Sequence, residues 1–190
     1  MGRIAVLDAC ALFPGLLRHL LIQLGVDGLY SPRWSDKINA EWSRALLRRR
    51  PDLSASSIAR TIRLMNEALP AANATVQTSA RDRPSCRDPN DDHVLQLAYS
   101  TRAACIVTFN VRDFPPGPPR GLLPRVLTPD QWMCSIWARA PMQAQESAHR
   151  VMGRLHRPPM DPDEFCNRLA VEGAASTARV IRALGDHPTH

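Results

Sequence analysis

The sequence predicts an α/β fold, a parallel sheet flanked by helices, with a small all-α extension at its C-terminal end. Three observations lead there. Ile4-Ala5-Val6-Leu7 is an apolar run without alternation, the pattern of a strand buried on both faces of a parallel sheet. Strand-like and helix-like stretches then follow one another as far as residue 127, the order that builds a parallel sheet with helices on both faces. From about residue 141 only helical spacing is found.

The first run stops at Asp8, which sets a carboxylate at the carboxyl edge of the sheet, where open α/β folds hold their ligands. Leu16, Leu17, Leu20, Leu21 and Leu24 recur at helical spacing, with Pro14 suited to the first turn and Gly25 to the stop. Leu29-Tyr30 reads as a short strand. Ser35 caps a helix over 36–49 that Pro51 ends, and Ser54 or Ser56 opens the next, with Ile58, Ile62, Met65 and Leu69 on one face. Residues 74–78 read as a third strand, and a polar loop over 79–87 leads to a helix from Asp88-Pro89 to about residue 100. Residues 104–109 are the clearest strand after the first. The chain returns to the sheet over 120–127, with 125–127 a short edge strand. Thr128-Pro129-Asp130 supplies a cap, an N1 proline and an acidic first turn. In the extension, helices are expected over 142–155, 162–172 and 175–184. Asp161-Pro162-Asp163-Glu164 starts the second of these, Gly173 interrupts, and His156-Arg157-Pro158-Pro159 is a hinge. The expected division is therefore an α/β domain over 1–140 and a helical extension over 141–190.

With 190 residues the chain holds one full domain and a smaller appendage, enough for a core without metal or disulfide staples. No stretch approaches the ~20 apolar residues of a membrane span, and the first residues enter a strand where a signal peptide would need an apolar segment. Five cysteines, Cys10, Cys86, Cys105, Cys134 and Cys166, form no Cys-x-x-Cys pair. That pattern speaks against a zinc knuckle or disulfide frame and for a reducing, cytoplasmic location. Residues 1–127 carry 17 Lys+Arg against 11 Asp+Glu, a net of +6, whereas 128–190 carry 7 of each. An arginine-rich composition, with Lys37 the sole lysine, accounts for part of the high pI. A basic background around gathered acids also suits an enzyme acting on an anionic polymer.

Four acidic stretches are placed to converge: Asp8, Glu41, the cluster of Asp88, Asp91 and Asp92, and Asp113. Each has a plainer reading alone. Glu41 has Arg44 and Arg48 three and seven residues on, an ordinary ion-pairing helix face. Asp113 follows a strand as a turn residue does. Together they suit hydrolysis of a phosphodiester with Mg2+ or Mn2+, ions that take hard oxygen ligands and keep several waters. Clustered carboxylates also repel, so some of their pKa values should rise without an ion. No His pair at ligand spacing and no glycine-rich phosphate loop is found, and Cys10 stands where a phosphoaspartate hydrolase has its second Asp. Within Asp88-Pro89-Asn90-Asp91, N-cap to N3 numbering turns Asp91 towards the apolar face of Val94, Leu95, Leu97 and Ala98, with Asp88 a cap and Asp92 turned outward. Arg44, Arg48 and Arg49, on the Glu41 helix, are the candidates for guiding phosphates. Trp34, Trp42, Trp132 and Trp137 have spacings that suit core packing better than base stacking.

Ile4-Ala5-Val6-Leu7-Asp8-Ala9, Glu41-Trp42, Asp88-Pro89-Asn90-Asp91-Asp92-His93-Val94-Leu95-Gln96-Leu97-Ala98 and Val107-Thr108-Phe109-Asn110-Val111-Arg112-Asp113-Phe114 together resemble the PIN-domain ribonucleases. The last two stretches look like the subgroup of VapC-type toxins of type II toxin–antitoxin pairs, some of which carry a helical C-terminal extension. The resemblance covers roughly residues 3–135. It implies a sheet of order 3-2-1-4-5 and a Mg2+- or Mn2+-dependent endoribonuclease. It implies Asp8, Glu41, Asp91 and Asp113 as the catalytic acids, with Asp8, Asp91 and Asp113 on the metal. Asp88, Asp92, Thr108 and Asn110 then support the site or cap the helix. It further implies an RNA substrate, a small cognate antitoxin and a homodimer. Cys10 departs from the Ser or Thr that many members have there, which puts a supporting hydroxyl in doubt. Two other readings of this fold stay open: a catalytically silent RNA-binding or interaction protein, and a structure-specific DNA nuclease.

Overall fold

The fold was obtained as a computed structural model that describes residues 3–76, 85–115, 124–154 and 160–185. Four parallel strands, β1 (Ile4–Leu7), β2 (Ser31–Arg33), β3 (Cys105–Val107) and β4 (Arg125–Leu127), form one sheet in the order β2-β1-β3-β4. In register, Val6 lies beside Arg33 and Ile106, and Val107 beside Leu127. Ala5, Val6, Leu7, Cys105, Ile106 and Val107 are all buried, as unbroken apolar runs require in a parallel sheet covered on both faces.

The expected order 3-2-1-4-5 holds for four of its five members. Among the described residues, the strand expected over 74–78 shrinks to one parallel bridge between Asn73 and Trp34, closed by Trp34 N–H to the Ala72 carbonyl and Ala74 N–H to the Trp34 carbonyl, both 2.9 Å. Alanine and asparagine have little to pack on a pleated edge, so the pairing does not propagate. Residues 77 and 78 of that call lie outside the described residues, as do 79–84 of the loop, 120–123 of the return to the sheet, Leu155 and the His156 to Pro159 hinge.

The chain forms two compact units that interleave along the sequence, so they do not follow a single cut near residue 140. The first comprises residues 1–13 and 30–128, the second 14–29 and 129–190. In the first, the sheet is joined by α1 (Ala9–Leu12), α3 (Asp36–Arg49), α4 (Ala55–Ala68) and α5 (Asp92–Ser100); α5 packs on β1 and β3, and α3 on α1 and α4. Ser35 and Ser54 cap α3 and α4 through the amides of Ile38 and Ser57, as their positions ahead of the apolar spacing indicate.

The second unit is helical: α2 (Gly15–Val26), α6 (Pro129–Trp137), α7 (Pro141–Arg154), α8 (Pro162–Val171) and α9 (Ala175–Gly185). Its helix α2 packs on α7 and α8, and α9 on α6, α7 and α8. The glycine that ends α2 is Gly28, not Gly25. With φ +77° it lets its own N–H reach the Gly25 carbonyl and the Leu29 N–H reach that of Leu24, which also takes Leu29 out of the expected strand. Gly173, at φ +95°, closes α8 in the same way. Two acids satisfy helix starts inside this unit. Glu172 accepts from the amides of Leu16 and Leu17 at the start of α2, and Asp130 from those of Ser176 and Thr177 at the start of α9. Although burial opposes it, these hydrogen bonds hold the Asp130 carboxyl below its ordinary pKa.

Candidate active site

Asp8, at the carboxyl end of β1, is buried with 3 % of its surface exposed. Its charge is met locally. One carboxylate oxygen accepts the Ala9 N–H at 2.6 Å; the other accepts the Thr108 hydroxyl at 2.7 Å and the Cys10 thiol at 3.1 Å. The Thr108 hydroxyl also accepts the Asn110 N–H at 3.0 Å, and the Cys10 sulfur accepts the Phe109 N–H at 3.1 Å. The residues after β3 are thus pinned to the residues after β1. Burial, and then the adjacent Asp8, push the Cys10 thiol up to about 12, so it serves as a neutral hydrogen-bonding group and not as a nucleophile. It contacts both Asp8 and Thr108, which answers the doubt raised by the absence of a hydroxyl at position 10.

An open cavity of about 320 Å³ begins at Asp8 and is lined by Cys10, Phe13, Glu41, Trp42, Asp91 and Asn110, with Ala9 and Ala45. Three of the four acids expected to act together, Asp8, Glu41 and Asp91, therefore line one cavity. Asp113 is not on that lining, yet its charge reaches Asp91. Burial first, then the charges of Asp8, Asp88, Asp113 and Glu41, raise the Asp91 carboxyl from 3.8 to about 6. Such a rise marks carboxylates gathered without a counter-charge.

Asp91 reaches the cavity by a different local route from the expected N3 position of an α-helix. Residues Pro89–Asp91 form a 3-10 turn, and α5 begins only at Asp92. Asp88 caps that turn through the Asn90 N–H at 2.9 Å. Asp92, expected to point outward, instead accepts the Cys86 N–H at 2.7 Å and fastens the incoming segment.

The His93 Nε2 lies 3.1 Å from the Glu41 Oε2, an ion pair only when the ring is protonated; among the described residues neither Arg44 nor Arg48 pairs with Glu41. Arg44, Arg48 and Arg49 are exposed on α3 and stand outside the cavity lining, and Arg44 Nε donates to the Ala40 carbonyl of its own helix. All four tryptophans are buried, and only Trp42 contributes to the cavity. Sequence reasoning had not singled out Phe13, His93 or the bonding role of Cys10. For His93 the available signal was its place two residues after Asp91.

Among the described residues no group of three or more His, Cys, Asp or Glu side chains closes into a cage for an ion. The donors that face the cavity are carboxylate and amide oxygens, with one neutral thiol. That chemistry fits a hard divalent cation retaining much of its own water and does not fit zinc.

A family model described as PIN domain matches residues 4–112, more than half of the chain. The chain belongs to the PIN-domain family. The match takes in Asp8, Glu41 and Asp91 and ends one residue short of Asp113. A second model, described as VapC50 C-terminal domain, matches residues 129–183. The chain is thus a VapC-like PIN-domain protein with a C-terminal extension, and this membership supports nuclease chemistry, hydrolysis of a phosphodiester. No curated protein and no solved structure gives a significant match.

Proposed function

We propose that this protein is a metal-dependent endoribonuclease, the toxin of a type II toxin–antitoxin pair. The observation that carries the reading is the one cavity lined by Asp8, Glu41 and Asp91, with Asp91 raised to about 6 by burial and by its neighbours' charges. Carboxylates set against one another in this way cost stability unless a cation joins them. In this reading Asp8, Asp91 and Asp113 hold Mg2+ or Mn2+, which when bound supplies charge neutralisation to the phosphate and polarises water. Thr108, Cys10 and the Ala9 amide orient Asp8 for that task. Glu41 takes a proton from the attacking water, and Asn110 helps align the substrate along the cavity. Arg44, Arg48 and Arg49, exposed on the helix that carries Glu41, attract the phosphates that flank the cleaved bond.

The VapC likeness favours RNA as substrate, a small antitoxin as inhibitor, a homodimer as the working form and the cytoplasm as the location. Among the described residues no helix is long and apolar enough to cross a membrane.

The test is cleavage of matched single-stranded RNA and DNA in Mg2+, Mn2+, Ca2+ and EDTA. RNA should be cut internally in Mg2+ or Mn2+, poorly in Ca2+ and not at all in EDTA. Asp8→Asn should stop cleavage without weakening RNA binding. Full activity in EDTA overturns the mechanism; cutting of DNA alone makes the protein a DNA nuclease. Binding without cleavage in any ion makes it a silent member of the fold.

A further inference from the structure

The cavity that begins at Asp8 has two kinds of lining, and only one of them suits an ion. Asp8, Glu41, Asp91 and Asn110 offer oxygens, whereas Ala9, Phe13, Trp42 and Ala45 offer carbon. The apolar part follows from the two helices that supply it. Residues Ala9–Leu12 make a single helical turn, and Phe13 at its end keeps helical torsion angles, φ -65° and ψ -48°. Four residues apart, Ala9 and Phe13 therefore share one face of α1, with Cys10 beside them. These three keep part of their surface exposed, whereas Ala11 and Leu12 on the other side are buried. Helix α3 packs on α1 and brings Glu41 and Ala45 to the cavity in the same four-residue relation. Trp42 is only 1 % exposed, so the aromatic surface open to the cavity belongs to Phe13. The short side chains of Ala9 and Ala45 take up little of the space around it.

Neither a hydrated cation nor a phosphate gains from an apolar wall, since each is bound through charge and hydrogen bonds. The cavity volume of about 320 Å³ falls within the roughly 300–1,000 Å³ of pockets that take whole organic groups. Of the parts of a nucleic acid, the base has the broad apolar face, and single strands are held by stacking such faces on aromatic side chains. We propose that Phe13 is a substrate-binding residue whose ring takes a nucleobase next to the phosphate at Asp8, Glu41 and Asp91, in the space left by Ala9 and Ala45. This rests on the nuclease reading above and extends it from the phosphate to the base. Stacking accepts the face of any base, so Phe13 fixes how a single strand lies in the cavity and not which sequence it has.

The test measures binding to the full chain carrying Asp8→Asn, in Mg2+, of a short single-stranded RNA and of inorganic polyphosphate, an anionic chain without bases. Adding Phe13→Leu, which keeps an apolar side chain in the fold, should weaken RNA binding about 5- to 10-fold and leave polyphosphate binding unchanged. Adding Phe13→Tyr should change neither. Without any change at position 13, RNA should move the Phe13 ring-proton resonances upfield, as a stacked base does, and polyphosphate should not. Equal RNA affinity of the two variants overturns the proposal, as do equal losses for RNA and polyphosphate, or ring resonances that RNA leaves in place. If RNA binds with these signatures but the parent chain cleaves none, the nuclease reading fails and the base site at Phe13 stands. Cleavage by the parent without the signatures has the reverse meaning, and absence of RNA binding overturns both.

Discussion

Replacing Asp91 with Asn removes the most strained charge in the cavity, and the gain in stability is calculable. In the ion-free protein this carboxyl stands at about 6 against an ordinary 3.8. A group whose pKa is raised by folding contributes stability that is fully present below 3.8 and is lost as pH rises through about 6. Ionising it in the folded state therefore costs up to about 3 kcal/mol at neutral pH. Asp91 is partly exposed, so solvent screening reduces this to about 1 kcal/mol. In EDTA near pH 8, Asp91→Asn should accordingly melt about 2–4 °C above the parent, a shift appropriate to a chain of this size. Near pH 4 the parent carboxyl is largely neutral and the advantage should vanish. Adding Mn2+ at pH 8 should reverse the order, because only the parent gains the binding energy of the ion. Thermal melts at the two pH values, with and without Mn2+, measure all three effects. A variant no more stable than the parent in EDTA at pH 8, or equally favoured at both pH values, refutes the electrostatic account of the site. The neighbouring changes Asp88→Asn and Asp92→Asn keep the oxygens that cap the turn and hold the Cys86 amide, and should leave cleavage close to the parent's, whereas Asp91→Asn abolishes it.

Changing Arg44 and Arg48 together to Ala should weaken RNA binding and flatten its salt dependence, by about 0.7 in the log–log slope for each lost phosphate contact; an unchanged slope in a salt titration excludes them from the RNA path. Glu172→Ala leaves the Leu16 and Leu17 amides unsatisfied and strips the nearby charge that opposes the burial-driven fall of Arg18 to about 10, so urea melts should show a loss of about 1–3 kcal/mol. For the same reason a chain ending at residue 140, which strips α7 and α8 from α2, should melt well below the full protein.

What was legible in the sequence is what is local. The apolar run ending at Asp8 announces a buried strand with a carboxylate at its tip. Ser35, Ser54 and Asp161 announce helix starts that their own side chains then cap. Among the described residues the edge strand expected over 74–78 comes down to the one bridge between Asn73 and Trp34, because its pairing depended on a neighbour. Gly28 escaped because Gly25 is equally plausible by type, and only the backbone conformation separates them. Membership of the two units was also hidden. A leucine stripe such as that of α2 specifies burial but carries no address, so nothing local says that residues 14–29 pack with residues 129–190. His93 and Glu41 meet across 52 positions of chain, and no spacing rule reaches that far.

The two best-placed acids of the cavity are provided for differently, and the difference gives each a role. Asp8 is buried, and its oxygens are engaged by an amide, a hydroxyl and a thiol, so its position is determined before anything binds. Asp91 receives no side-chain hydrogen bond among the described residues and feels chiefly burial and four like charges. A carboxylate satisfied by its own chain has little to gain from a cation, whereas one surrounded by negative charge has much. On the proposed reading, the free energy of ion binding would therefore be concentrated at Asp91, and Asp8 would decide where the ion sits. A site divided in this way is rigid at the sheet edge and electrostatically primed at the 3-10 turn. The short turn of Pro89–Asp91 suits that task, since it brings Asp91 to the wall without committing its carboxylate to capping, which Asp88 already performs.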